Sequence, residues 1–238
     1  VFAAKGKQNR LYCRDNGFGG DDVNADAAWF SWQVLAGAAV LCLGLTAWCA
    51  PAFVRLWRGR ADLLGAGALV SAGALLAQVP AGYGGAAYHL LGVNLACLML
   101  GGRAAWCVAC FWLLVAETLR YGTGFVAVWP LQSLLTVLPA WAVGVAVRRI
   151  GTRYLPPNVF VYIFVYGFLA AAAGMLLTGV LAQYWHGAAV LRVFVLLAWG
   201  EAFLSGLFAA ILLSFAPRLL ATFSDEVYLK RDKDIWTD

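Results

Sequence analysis

Val190-Leu191-Arg192-Val193-Phe194-Val195-Leu196-Leu197-Ala198-Trp199-Gly200-Glu201-Ala202-Phe203-Leu204-Ser205-Gly206-Leu207-Phe208-Ala209-Ala210-Ile211-Leu212-Leu213-Ser214-Phe215-Ala216 is one apolar run broken by charge only at Arg192 and Glu201. It exceeds the roughly 20 apolar residues that a helix needs to cross a bilayer. It is continuous rather than alternating, which excludes a membrane β-strand. The same scarcity of charge reaches back to Trp32. Between there and Ala216 the charged residues are Arg55, Arg58, Arg60, Asp62, Arg103, Glu117, Arg120, Arg148, Arg149, Arg153, Arg192 and Glu201, with no lysine among them. The whole chain is 63% hydrophobic and 12% charged, with a mean hydropathy of +0.78. Soluble domains carry about 25% charge, so these 238 residues read as an all-α, polytopic membrane helical bundle.

The apolar runs predict seven spans near 31–54, 63–80, 87–101, 104–119, 126–147, 158–183 and 190–216. The third and fourth are short and separated only by Gly101-Gly102-Arg103, so a tight hairpin or a re-entrant pair is the alternative there. An extramembrane tail is expected over 1–30, the transmembrane domain over 31–216 and a cytoplasmic tail over 217–238. The start at Val1 suggests a processed or incomplete N-terminus. Seven spans put the termini on opposite sides. Arg55, Arg58, Arg60, Arg103, Arg148, Arg149, Arg153, Arg218, Lys230, Arg231 and Lys233 then share one side. The other receives Arg120, Arg192 and the tail cations Lys5, Lys7, Arg10 and Arg14. Cytoplasmic ends are enriched in Lys and Arg, so the C-terminus is expected in the cytoplasm and the N-terminus outside. The net charge of +5 follows from this placement and does not indicate nucleic-acid binding, which needs a basic patch.

Two ionisable residues, Glu201 and His89, stand apart as candidates for chemistry. Glu201 falls near the middle of the last span, where an acid costs about 2.5–3.5 kcal/mol on insertion scales. Such a residue marks a proton or cation site, or a hydrogen bond locking two helices; Gln132 and Thr136 are the candidate partners, with Glu201 and Gln132 forming an intramembrane polar site. His89 opens the third span on the outer side, and imidazole suits divalent transition metals. His186 and Cys13 lie on that side too, although nothing in their spacing demands that they converge. Glu117 and Arg120, three apart, read as a local pair at a water-accessible helix end. Cys107-Val108-Ala109-Cys110 lacks the further ligands of a zinc site, and the six cysteines do not form a disulfide framework. No Gly-x-Ser-x-Gly, His-Glu-x-x-His or phosphate-binding loop occurs, so no enzymatic activity is expected.

Tyr154-Leu155-Pro156-Pro157-Asn158-Val159-Phe160-Val161-Tyr162-Ile163-Phe164-Val165-Tyr166-Gly167-Phe168 resembles a segment of the energy-coupling-factor transporter permeases of proteobacteria. These are related to CbiM/NikM-type cobalt and nickel substrate-binding components. Tyr88-His89-Leu90-Leu91-Gly92, Glu201-Ala202-Phe203-Leu204-Ser205-Gly206, and Ala221-Thr222-Phe223-Ser224-Asp225 with Tyr228-Leu229 resemble further segments of that group in the same order. The likeness covers roughly residues 31–231. It implies a seven-helix bundle with its N-terminus outside, in the bacterial inner membrane. It also implies cobalt or nickel as a bound divalent ion. In those relatives metal is held by the N-terminal amine, a histidine at the second position and a histidine opening the third helix. Only the last carries over, onto His89, since this chain opens Val1-Phe2. Pro130-Leu131-Gln132 stands where the relatives have Gly-x-Asn, and Tyr166 where the group usually has Asn.

Two functions follow from the resemblance and its departures. One is a substrate-capture component of an energy-coupling-factor-like transporter, embedded in the lipid bilayer and working with ATPase and coupling subunits on other chains. The other is an accessory or structural subunit of an unrelated membrane complex, keeping the fold without transport.

Overall fold

The computed structural model describes residues 30–80 and 87–228. Helix α1 (Trp32–Gly59) is followed by α2 (Ala61–Leu76) and a small antiparallel hairpin, β1 (Gln78–Pro80) and β2 (Ala87–His89), with Gln78 opposite His89 and Pro80 opposite Ala87. A short helix α3 (Val93–Leu100) leads into α4 (Gly102–Tyr121). After a 3₁₀ turn come α5 (Trp129–Tyr154), then α6 as a π-helical stretch Val161–Leu169 continued by Ala170–His186, then α7 (Ala188–Phe215). A second 3₁₀ turn (Pro217–Leu219) and α8 (Asp225–Tyr228) close the described chain.

Among the described residues five helices, α1, α4, α5, α6 and α7, are long and apolar enough to cross a membrane. The exposed faces explain why. On α7 the large apolar side chains Leu196, Trp199 and Phe203 point outward, whereas Ala198, Glu201, Ala202 and Ser205 are buried. Small and polar groups inside with bulky apolar groups outside suit a bundle whose solvent is lipid. Close backbone approach follows: a Cβ on Gly174 of α6 would lie 3.0 Å from the Ala140 Cα of α5.

Two of the expected spans differ. The stretch 63–80 is helical only to Leu76 and continues as β1, while 87–101 is β2, a loop and the eight residues of α3. Gly92 ends any helix running back from α3, since its φ of +62° is left-handed, and α2 stops where Ala77 turns to extended backbone, φ −72° and ψ 105°. Helix α5 also runs past its expected end at 147, so Arg148, Arg149 and Arg153 lie within it. Its π-helical turn at Ser133–Val137 directly precedes Pro139, which removes one rung of the hydrogen-bond ladder.

Helix α3 lies at the centre. All eight of its residues are buried, and it packs on α2, α4, α5, α6 and α7. At about 1.5 Å per residue it is about 12 Å long, too short to cross the bundle alone.

Candidate functional site

A buried helix end exposes backbone groups that need partners. At the N-terminus of α3 those partners come from the far end of the chain. Glu201, halfway along α7, accepts the Gly92 N–H on Oε1 at 2.7 Å and the Leu91 N–H on Oε2 at 3.0 Å. The residue is 5% exposed, so these bonds are shielded from water. The expected partners for this acid, the Gln132 and Thr136 side chains, are replaced by backbone amides. Gln132 is buried on α5, and its carbonyl accepts the Thr136 hydroxyl at 2.8 Å. Gly92 is required where it stands, because a Cβ there would fall 2.7 Å from the Ala74 Cβ in addition to the left-handed φ.

Glu201 therefore holds the loop that begins at His89. The imidazole Nδ1–H donates to the Leu90 carbonyl at 3.0 Å, which leaves Nε2 as the acceptor nitrogen of the neutral ring. Nε2 lies 3.8 Å from Glu117 Oε1 on α4. Glu117 pairs with Arg120 at 2.7 Å, as their spacing on one helix predicts. The pair is not at a water-accessible border, however: the Glu117 side chain is fully buried and that of Arg120 only 15% exposed. Arg120 reaches on to the Leu75 carbonyl in the last turn of α2 at 2.6 Å. The hairpin and α2 fold over the end of α4, and this burial is what a reading of helix spacing misses.

The other sides of α3 are fixed equally. Asn94 donates from Nδ2 to the carbonyls of Tyr166 and Gly167 at 2.8 and 3.0 Å. Both lie in the π-helical part of α6, whose wider turns leave carbonyls to side-chain donors. Asn158 starts that helix by accepting the Val161 N–H on Oδ1 at 2.8 Å, a helix N-cap. At the C-terminus of α3, Leu98 O accepts the Thr222 hydroxyl at 2.8 Å and Met99 O accepts the Ala221 N–H at 2.9 Å. Tyr162 meets the Thr222 hydroxyl at 2.8 Å and packs against Phe223 and Tyr228.

Of the residues singled out in the sequence, His89 and Glu201 thus belong to one assembly around the start of α3, and Gln132 is buried on α5. Cys13 and the His186 side chain fall outside the described residues. The described cysteines are all free. Among the described residues no group of three or more His, Cys, Asp or Glu is placed to hold a metal ion. Glu117 is the residue that sequence reasoning undervalued; its signal was its position as an acid within an otherwise apolar helix.

Residues 26–219 match the family model of the cobalt uptake substrate-specific transmembrane region, CbiM. No curated protein and no solved structure matches the chain.

Proposed function

From the premise that the chain belongs to the CbiM family of cobalt-uptake transmembrane components, we propose that it is the substrate-capture subunit of an energy-coupling-factor-like transporter. It takes cobalt or nickel at His89 from the outer face and depends on ATPase and coupling subunits from other chains. The observation behind this reading is that His89, its side chain 12% exposed, ends strand β2 just before the non-helical turn whose Leu91 and Gly92 amides are tied to Glu201 inside the bundle. Irregular backbone at membrane depth is tolerated only where protein or a lined cavity surrounds it, and such places hold transport sites. The ring tautomer that Leu90 selects leaves Nε2 available to a cation. In this proposal the chain passes the inner membrane seven times with its N-terminus outside. Segments α2–β1 and β2–α3 make two of the crossings as composites, and the arginine-rich ends face the cytoplasm.

Calorimetric titration of the purified chain with cobalt and nickel tests the site. His89→Ala should abolish binding; unchanged affinity would sink the assignment. Mild-detergent purification tests the assembly: ATPases should co-migrate, whereas stoichiometric recovery with an unrelated complex would favour an accessory subunit.

A further inference from the structure

We propose that Glu117 is a second metal ligand beside His89, and that Arg120 is the built-in cation that occupies the Glu117 carboxylate until metal arrives. This rests on the reading that the chain captures a divalent transition metal at His89, and it names the next residue of that site.

The geometry fits two ligands of one ion. An imidazole nitrogen and a carboxylate oxygen, each about 2.1 Å from a metal, lie about 3.0–4.2 Å apart for ligand angles from perpendicular to linear. The Nε2 to Oε1 separation is 3.8 Å. The other ring nitrogen is held by a backbone carbonyl, the arrangement that orients metal-bound histidines. Imidazole with carboxylate is a donor set for borderline divalent ions such as cobalt and nickel, and water completes the coordination.

The charges explain Arg120. A largely buried acid–guanidinium pair adds little stability over apolar residues of the same size, so packing alone does not account for it beside an imidazole. Arg120 has two anchors, one amino group on Glu117 Oε1 and the other on Leu75 O. It can release the carboxylate and keep its hold on α2. Among the described residues the cluster pairs one acid with one guanidinium beside an imidazole. A divalent ion must displace Arg120 from Glu117 against its positive charge, which weakens capture enough to permit release.

The test is cobalt(II) titration of the purified full chain in detergent, comparing the wild type with Arg120→Gln, the double variant Glu117→Gln/Arg120→Gln, and His89→Ala. The double variant removes both charges together and leaves no buried charge uncompensated. It should bind cobalt at least about tenfold more weakly than Arg120→Gln, since even outer partners of metal ligands produce losses of that size. Arg120→Gln should bind about tenfold more tightly, because a repelling cation is gone, and cobalt should raise its thermal stability more than that of the wild type. If the double variant binds as Arg120→Gln does while His89→Ala loses binding, Glu117 is no ligand and the capture reading survives. If the wild type binds no cobalt, or if no variant changes affinity, both fall. An infrared difference spectrum of the wild type on cobalt addition covers the case of a variant that does not fold. A shifted carboxylate stretch is expected, and its absence overturns the ligand assignment.

Discussion

Glu201→Ala strips the acceptor from two buried amides at once, Leu91 N–H and Gly92 N–H, in a place that water does not reach. A buried donor left without its partner costs about 1–3 kcal/mol. Taking the middle of that range for each amide gives a loss of about 4 kcal/mol. For a chain of this size about 2–4 °C of melting temperature goes with each kcal/mol, so the midpoint should fall by about 8–16 °C. Glu201→Gln keeps one carbonyl acceptor but turns an amino group toward the second amide, and should lose about half as much. Thermal unfolding in detergent, followed by tryptophan fluorescence, measures the global effect. Hydrogen exchange at Leu91 and Gly92 measures the local one, and both amides should lose protection in the alanine variant. A Glu201→Ala protein that melts with the wild type and keeps those amides protected would refute the capping argument. So would a Glu201→Gln protein of full stability and protection that cannot take up metal, since the carboxylate would then act as a proton or cation site.

Two further substitutions probe the same assembly. Gly92→Ala forces a side chain into a left-handed backbone at about 1–2 kcal/mol, with a Cβ 2.7 Å from that of Ala74; a lowered melting point and weaker cobalt binding are expected, and unchanged values for both would show that the loop has room to shift. Thr222→Val removes the hydroxyl that joins Leu98 O to Tyr162 and should cost about 1–2 kcal/mol; combined with Tyr162→Phe, the loss should be less than additive, and strict additivity would mean that the two hydroxyls act separately.

The long spans are legible because their signal is the absence of charge, which no neighbour can disguise. Helices α1, α4, α6 and α7 start within a few residues of the apolar runs that announce them. The end of α5 is harder to read. Arg148, Arg149 and Arg153 mark the edge of the apolar run, yet the helix continues through them, because arginine favours helix and can extend its charge to the interface. The hairpin is illegible for another reason. Short apolar stretches such as 78–80 and 87–89 serve a strand or a helix alike until a partner strand is known. The site divides along the same line. His89 and Glu201 stand out as ionisable groups among apolar ones, but the link between them is made by the amides of Leu91 and Gly92, and a backbone donor has no letter in the sequence. Glu117 and Arg120 reveal their pairing by spacing and conceal their burial, which depends on α2 and the hairpin folding over them.

Helix α3 explains why the segments that resemble the family are the ones they are. Isolated helices shorter than about 12–15 residues are marginal even in water, and this one has eight, all buried. It persists only if its ends and its polar side chain find partners inside the protein. The His89 segment supplies its entrance, and the Glu201 segment accepts the two entrance amides. The Tyr154–Phe168 segment supplies the carbonyls for Asn94, and the Ala221–Tyr228 segment satisfies the exit carbonyls. Four stretches far apart in sequence thus converge on about two turns of buried helix and its loop. The position of the His89 ring is consequently set by all of them together. A substitution at Thr222, at the opposite end of α3, reaches the ring through the same short rod as one at Glu201, and differs only in how many buried bonds it breaks.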